Sequence, residues 1–415
     1  MMNMPDTGKL QIDVIAADIV KPVDNATIRV TSRGDRSNLI DEMVTNSSGQ
    51  TYTIELPAPP LEFSRQPSAQ KPYSEYDISV TYEGYEQVNV QGVQVLPDTV
   101  SYQNIALNPL TRYENGWPQT ITIDEHTLWG NFPPKIPEDE IKPLPQNTGY
   151  VVLPEPVVPE FIIVHMGMPT DTTAPNHWVP FKEYIKSVAC SEIYATWPEE
   201  TLKANILAII SLTLNRVFTE WYRGQGYDFT ITNTTQFDQK YIHGRNKFIE
   251  ITKVVDDIFN TYITRPGIRQ PLFAQYNDGK RSNNPGWLSQ WGSNDLGEKG
   301  YSAINILKHH YGQDIYLTHA EKVSGVPSSY PGTALRIGSS GPNVRTIQEQ
   351  LNAIANNFPA IPKLRVDGVF DQNTKNSVEI FQEIFHLEQD GVVGFATWYR
   401  ISQTYVAVTR MAELY

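Results

Sequence analysis

The chain has 415 residues, with 33 Lys+Arg against 46 Asp+Glu, a net charge of −13. At about 100–200 residues per domain this length predicts two to four domains, and the acidic balance argues against a nucleic-acid partner. A single cysteine, Cys190, excludes an internal disulfide and a cysteine-based zinc site, and the longest apolar run, near residues 206–214, is about half a membrane span, so no membrane-crossing helix is expected.

The first twenty residues carry Asp6, Asp13 and Asp18 and lack a basic n-region and a small-residue cleavage site, so no Sec signal peptide is expected. Residues 1–110 read as an all-β domain. Leu10-Gln-Ile-Asp-Val-Ile, Ala26-Thr-Ile-Arg-Val, Tyr52-Thr-Ile-Glu-Leu and Tyr76-Asp-Ile-Ser-Val alternate apolar and polar residues, which puts one face of each strand in a core. Turn signals at Lys21-Pro-Val-Asp-Asn, Ser47-Ser-Gly and Glu83-Gly separate them, and the spacing predicts a small antiparallel sandwich. The order of these motifs resembles carboxypeptidase-regulatory-like (prealbumin-like) domains, which implies an accessory module.

Residues 111–160 read as a linker. Nine prolines fall between Pro118 and Pro159, so the segment is expected to run extended and exposed, where proteases cut. Residues 161–326 read as mixed α and β. Phe181, Tyr184, Ile185 and Val188 mark one helix face, Thr196-Trp-Pro-Glu199 fits a capping box, and Leu202, Ile206, Ile209, Ile210 and Val217 continue as a buried helix. Another helix is expected over about residues 301–310. Residues 333–415 read as a compact three-helix domain with a pseudo-repeat, Asp367-Gly-Val-Phe and Asp390-Gly-Val-Val-Gly, each following a helical segment. The charge is uneven: −7 over residues 1–110, −5 over 111–160, zero over 161–332 and −1 over 333–415.

Two resemblances assign a chemistry. The string Leu335-Arg-Ile-Gly338, Gly341, Val344, Gln348, Leu351, Asp367-Gly-Val-Phe370, Thr374, Phe381-Gln382, Asp390-Gly-Val-Val-Gly394 and Thr397-Trp398 resembles the peptidoglycan-binding domain type 1 family and implies a wall-binding module. The motifs Tyr184-Ile-Lys-Ser-Val-Ala-Cys-Ser-Glu192, Asn233-Thr-Thr-Gln-Phe-Asp238-Gln239-Lys-Tyr241 and Gly286-Trp-Leu-Ser289-Gln290-Trp291-Gly292 resemble the SpoIID-like lytic transglycosylases. The order of all four segments resembles the proenzymes of spore cortex-lytic enzymes. That implies spore cortex peptidoglycan as substrate, synthesis in the mother cell for the cortex and coat region, and activation by a subtilisin-like germination protease of the Csp type. The segment Val151-Val152-Leu153 then matches the start of the mature form.

Glycosidic cleavage needs a protonated acid at the leaving oxygen. The family's catalytic glutamate falls on Glu192, in an apolar setting with Ile193, Tyr194 and Trp197 that favours a protonated carboxyl. Asp238 is a second candidate, as an assistant to Glu192 or as a turn residue. Some family members bind zinc with Cys or His around this motif; Gln236, Phe237 and Asp238 stand here instead, so no metal and no other cofactor is expected. Gln239 and Tyr241 match family positions for sugar contact. Trp287, Ser289, Gln290 and Trp291 have the aromatic and amide chemistry of a glycan cleft, with Trp291 equally suited to a core. A muramidase-type hydrolase using Glu192 and Asp238, and a non-catalytic wall-binding protein, remain as alternatives.

Overall fold

The computed structural model describes residues 6–110, 118–144 and 154–413. The proposed processing residues Val151, Val152 and Leu153 lie outside the described residues. The N-terminal unit is two five-stranded sheets. In the first, β1 (Asp6–Ala16) lies between β8 (Val100–Leu107) and the short β2 (Lys21–Pro22), with β5 (Ile54–Ala58) also paired to it. The second has the order β4 (Asp35–Val44), β3 (Thr27–Ser32), β6 (Ser74–Thr81), β7 (Val88–Val95) and β9 (Gln119–Thr122). The alternating residues Leu10, Ile12 and Val14 of one sheet and Ile28, Val30, Ile78 and Val80 of the other are buried in one hydrophobic cluster. The sheets are not purely antiparallel as expected, because β1 pairs in parallel with β8 and β7 with β9.

The rest is helical around small sheets. A short helix, α1 (Glu62–Arg65), projects from the N-terminal unit. The central region packs α2 (Phe181–Glu192), α3 (Glu199–Phe218), α4 (Ile249–Ile258), α5 (Gln290–Glu298) and α6 (Ala303–Tyr311) into one core. Eleven of the twelve α2 residues are buried, not one face alone, because neighbours cover it on several sides. By length and composition α3 would cross a membrane, but 89% of its apolar window is buried in the protein, as in a core helix. The capping box at Thr196 does not form. The helix begins after Pro198, and the Thr196 hydroxyl donates instead to Ser64 Oγ at 2.8 Å. The C-terminal unit comprises α7 (Pro342–Ile354), α8 (Gln372–Ile384) and α9 (Phe395–Glu413), and it docks on α4 through Phe259, Phe395 and Tyr399, with ring centroids 5.0–5.3 Å apart.

The N-terminal unit is bound firmly to the central one. Strand Lys247–Phe248 extends its first sheet by pairing with β8. Buried Arg245 donates to Gln94 Oε1 at 3.1 Å, and Asn246 and Gln94 exchange two further bonds of 2.7 and 3.2 Å.

The linker departs most from expectation. Its beginning forms β9, and from His126 to Lys142 it crosses the central region in close contact. The Thr127 N–H donates to Ser191 O at 3.0 Å, the Ile136 N–H to Gln236 O at 2.8 Å and the Lys142 N–H to Gln270 Oε1 at 3.0 Å. The segment is extended, as proline predicts, and much of it is exposed, but several of its backbone groups bond side chains and backbone of the central region. Composition shows that a chain will not form a helix; it does not show what lies beneath it.

Candidate active site

Glu192 ends α2 and is 2% exposed. Its Oε1 accepts the Lys240 N–H at 2.7 Å, and its Oε2 accepts the Tyr276 hydroxyl. Burial first, and the neighbouring carboxylate second, push the Tyr276 phenol well above its ordinary range, so it stays a donor. Gln290 Nε2 donates to the Glu192 carbonyl at 2.9 Å, which fixes the backbone on which the carboxyl swings.

The third motif builds this support. Strand Leu288–Ser289 pairs with Tyr276–Asn277, which carries the phenol. Ser289 caps α5 by accepting the Gly292 N–H at 2.9 Å. Gly279 closes the turn at φ +76°, and a Cβ there would stand 1.8 Å from Ser289 Oγ, so both its dihedral and its packing require glycine.

A pocket of about 270 Å³ opens on Glu192. Tyr276, Gln290, Thr235 and Asn277 line one side, and Phe132, Pro133, Pro134 and Lys135 of the linker close the other. Asp278 is the other carboxylate in its lining, and it is committed. Its Oδ1 accepts the N–H groups of Lys280, Arg281 and Ser282, each at 3.0 Å, and its Oδ2 accepts Arg281 Nε. Against burial, these bonds hold Asp278 below the ordinary carboxylate range.

The structure puts several predicted residues to other uses. Asp238 is fully buried, with its carboxylate on Arg216 Nε at 2.7 Å, the Tyr222 hydroxyl at 2.7 Å, and the Thr232 N–H and hydroxyl at 2.9 and 2.8 Å. Four internal bonds and complete burial commit this carboxylate to the fold, and the neighbouring Gln236 and Phe237 are not zinc ligands. Gln239 is fully buried and accepts from Tyr184 and Thr213 at 3.1 and 2.9 Å, tying α2 to α3. Tyr241 stacks on Tyr184 at 5.5 Å, and Trp291 packs against Trp197 at 5.3 Å; both are core. Trp287 is half-buried and outside the pocket lining. The structure also adds residues that the sequence did not single out: Tyr276, the Lys240 N–H and Lys135. Tyr276 sits in an aperiodic stretch and Lys135 among prolines, so neither had a local signal.

Residues 170–262 match the family model of the stage II sporulation protein SpoIID, and residues 340–401 match that of a peptidoglycan binding domain. These matches give the chain a segment similar to a sporulation protein and a segment similar to a peptidoglycan-binding domain, which together support a multidomain protein related to sporulation and the cell wall. Among solved structures, a peptidoglycan-binding protein from Clostridioides difficile in complex with glutamine hydroxamate is 29% identical, over 18% of this chain and 42% of that one, with a TM-score of 0.16. The SleB N-terminal domain is 27% identical, over 19% of this chain and 99% of that one, with a TM-score of 0.17. The chain thus spans less than half the length of the first of these. A comparison with curated proteins returned no match.

Proposed function

We propose that the protein is the zymogen of a spore cortex-lytic enzyme, of the kind typified by SleC, that cleaves peptidoglycan glycan strands by lytic transglycosylation. One observation carries the reaction type. Glu192 and Asp278 are the two carboxylates in the pocket lining; Asp278 accepts four internal bonds against two for Glu192, and Asp238 is buried outside the lining. A hydrolase of the usual kind needs a second free carboxylate; a lytic transglycosylase does not. Glu192 protonates the glycosidic oxygen as the C1–O bond breaks. The C6 hydroxyl of the same muramoyl residue then forms the new bond to C1, and Glu192 takes back that hydroxyl's proton. The product ends in a 1,6-anhydro ring, and no water is consumed.

The unit at residues 340–401 would hold the enzyme on cortex glycan. Cutting near residues 151–153 by a Csp-type protease would activate it at germination, in the cortex and coat region. The test is mass spectrometry of glycan fragments released from purified cortex by the processed protein. Anhydro-muramoyl ends are expected, and Glu192→Gln should lower the rate by about 10²–10⁴-fold, the worth of a positioned acid–base group. Reducing ends would convert the reading to a hydrolase. Undiminished cleavage by the variant would remove Glu192 from the chemistry.

A further inference from the structure

We propose that linker residues 131–142 occupy the groove that receives the glycan strand, with Lys135 as the plug over Glu192. This rests on the glycan-cleaving reading above and adds where the strand binds and how it is kept out.

The linker lies between two banks. On one, the Thr235 and Asp238 carbonyls accept Lys135 Nζ, and Gln236 O accepts the Ile136 N–H at 2.8 Å. On the other, Gln275 donates to Ile136 O at 2.8 Å and accepts the Glu138 N–H at 2.9 Å, and Gln270 exchanges two bonds with the Lys142 backbone at 3.0 and 3.1 Å. Lys135 Nζ also lies 4.6 Å from the centre of the Tyr276 ring, whose hydroxyl holds Glu192. The ammonium therefore sits in the space a sugar must enter to reach the acid.

Beneath the linker lie amides and aromatic rings. The buried amides Gln270 and Gln275 bond its backbone, Lys135 covers the ring of Tyr276, and Lys142 covers those of Phe273 and Trp221. Such side chains stack on pyranose faces and read their hydroxyls. Eight extended residues from Lys135 to Lys142 span at most ~26–29 Å, room for several linked sugars. A segment that served only as a spacer would not need amide side chains to accept and donate to its backbone at Ile136, Glu138 and Lys142.

The test uses the full chain, folded intact and then nicked between residues 145 and 153. Cortex glycan oligosaccharides added to nicked Glu192→Gln protein should speed amide exchange at Ile136, Glu138 and Lys142 by about tenfold or more, as those bonds open. A synthetic 131–142 peptide in excess should inhibit nicked wild type by raising KM at constant kcat, about tenfold. The same peptide carrying Lys135→Glu should inhibit about tenfold less. Cleavage by nicked wild type while those amides stay protected under glycan, or inhibition through kcat alone, overturns groove occupation and leaves the Glu192 reading intact. Displacement of the linker together with no cleavage by nicked wild type overturns that reading and supports occupation. Glycan that neither displaces the linker nor is cut overturns both.

Discussion

In the proposed reaction Glu192 gives a proton at one moment and takes one at the next, so the groups that aim its carboxyl matter as much as its own identity. Tyr276 is the closest of these, a phenol held as a donor by burial and by the carboxylate it faces. Its removal should affect the chemistry and spare substrate affinity. Tyr276→Phe keeps the ring and deletes one bond to a charged group, worth about 1.5–3 kcal/mol, or about 10–100-fold in rate. The expected result in the processed enzyme is a fall of that size in kcat with KM unchanged. A rise in KM at constant kcat would instead make Tyr276 a substrate-binding residue. Neither Tyr276 nor the Lys240 N–H was legible in the sequence, since both reach Glu192 only through the tertiary fold. The motif singled out Glu192, and the structure places it in the pocket lining. Asp238, in an equally good motif, proved to be the partner of Arg216, because a motif marks the residues a fold needs without saying what each one touches.

Among the elements, the clearest success of pattern reading is the alternation in the N-terminal strands, because a half-buried sheet must repeat every two residues. The i, i+3, i+4 pattern also located α2 and α3. What patterns missed is the buried charge between helices. Lys182 and Lys186 of α2 meet Asp256 of α4 at 3.0 and 2.8 Å, all three at most 3% exposed. Against burial, the two ammonium groups hold Asp256 down to about 2, and burial brings Lys182 down to about 8. A carboxyl depressed in the fold contributes stability above its unfolded pKa, near 4, and loses it as pH falls towards 2. The loss is roughly 2 kcal/mol. Asp256→Asn should cost about 3–5 kcal/mol near pH 7 by stranding two lysines, and the gap to wild type should narrow between pH 4 and 2. Denaturant unfolding across that range measures it; curves that stay parallel would show that Asp256 does not titrate there. The C-terminal repeat shows the same limit of patterns. Asp367-Gly and Asp390-Gly were legible, but not that buried Gln348 and Gln382 each satisfy the turn, accepting Gly368 N–H at 2.8 Å and Gly391 N–H at 2.9 Å. Each Gln→Ala change leaves those groups unpaired and should cost about 1–3 kcal/mol. Wall binding below the melting temperature should be unchanged; a loss of binding at full stability would place these amides on the glycan.

Across the whole molecule, the acidic excess lies in the first 160 residues and part of it lies on the linker's contacts. Asp124 pairs with Lys240 at 2.7 Å, Glu140 with Arg265 at 2.7 Å, and Glu138 with Arg216 at 2.6 Å. These pairs differ in their exposure to salt. Asp124 and Glu140 are half-exposed, so their pairs are worth at most about 1 kcal/mol each and fade as the Debye length shrinks to about 3 Å at 1 M. Arg216 is fully buried and Glu138 mostly so, at 17% side-chain exposure, and the same guanidinium also carries the buried Asp238. That centre is screened little, because ions cannot enter it. Salt should therefore loosen the two ends of the linker and leave its middle seated over the pocket. The expected outcome is that the uncut chain, moved from 0.1 to 1 M NaCl, stays below about a tenth of the glycan-cleaving rate of the nicked chain at the same salt. A rate that rises to match the nicked chain would make surface charge the whole of the restraint. Failure to rise assigns the restraint to the buried Glu138–Arg216 pair and the amide-held backbone, which only a cut can release.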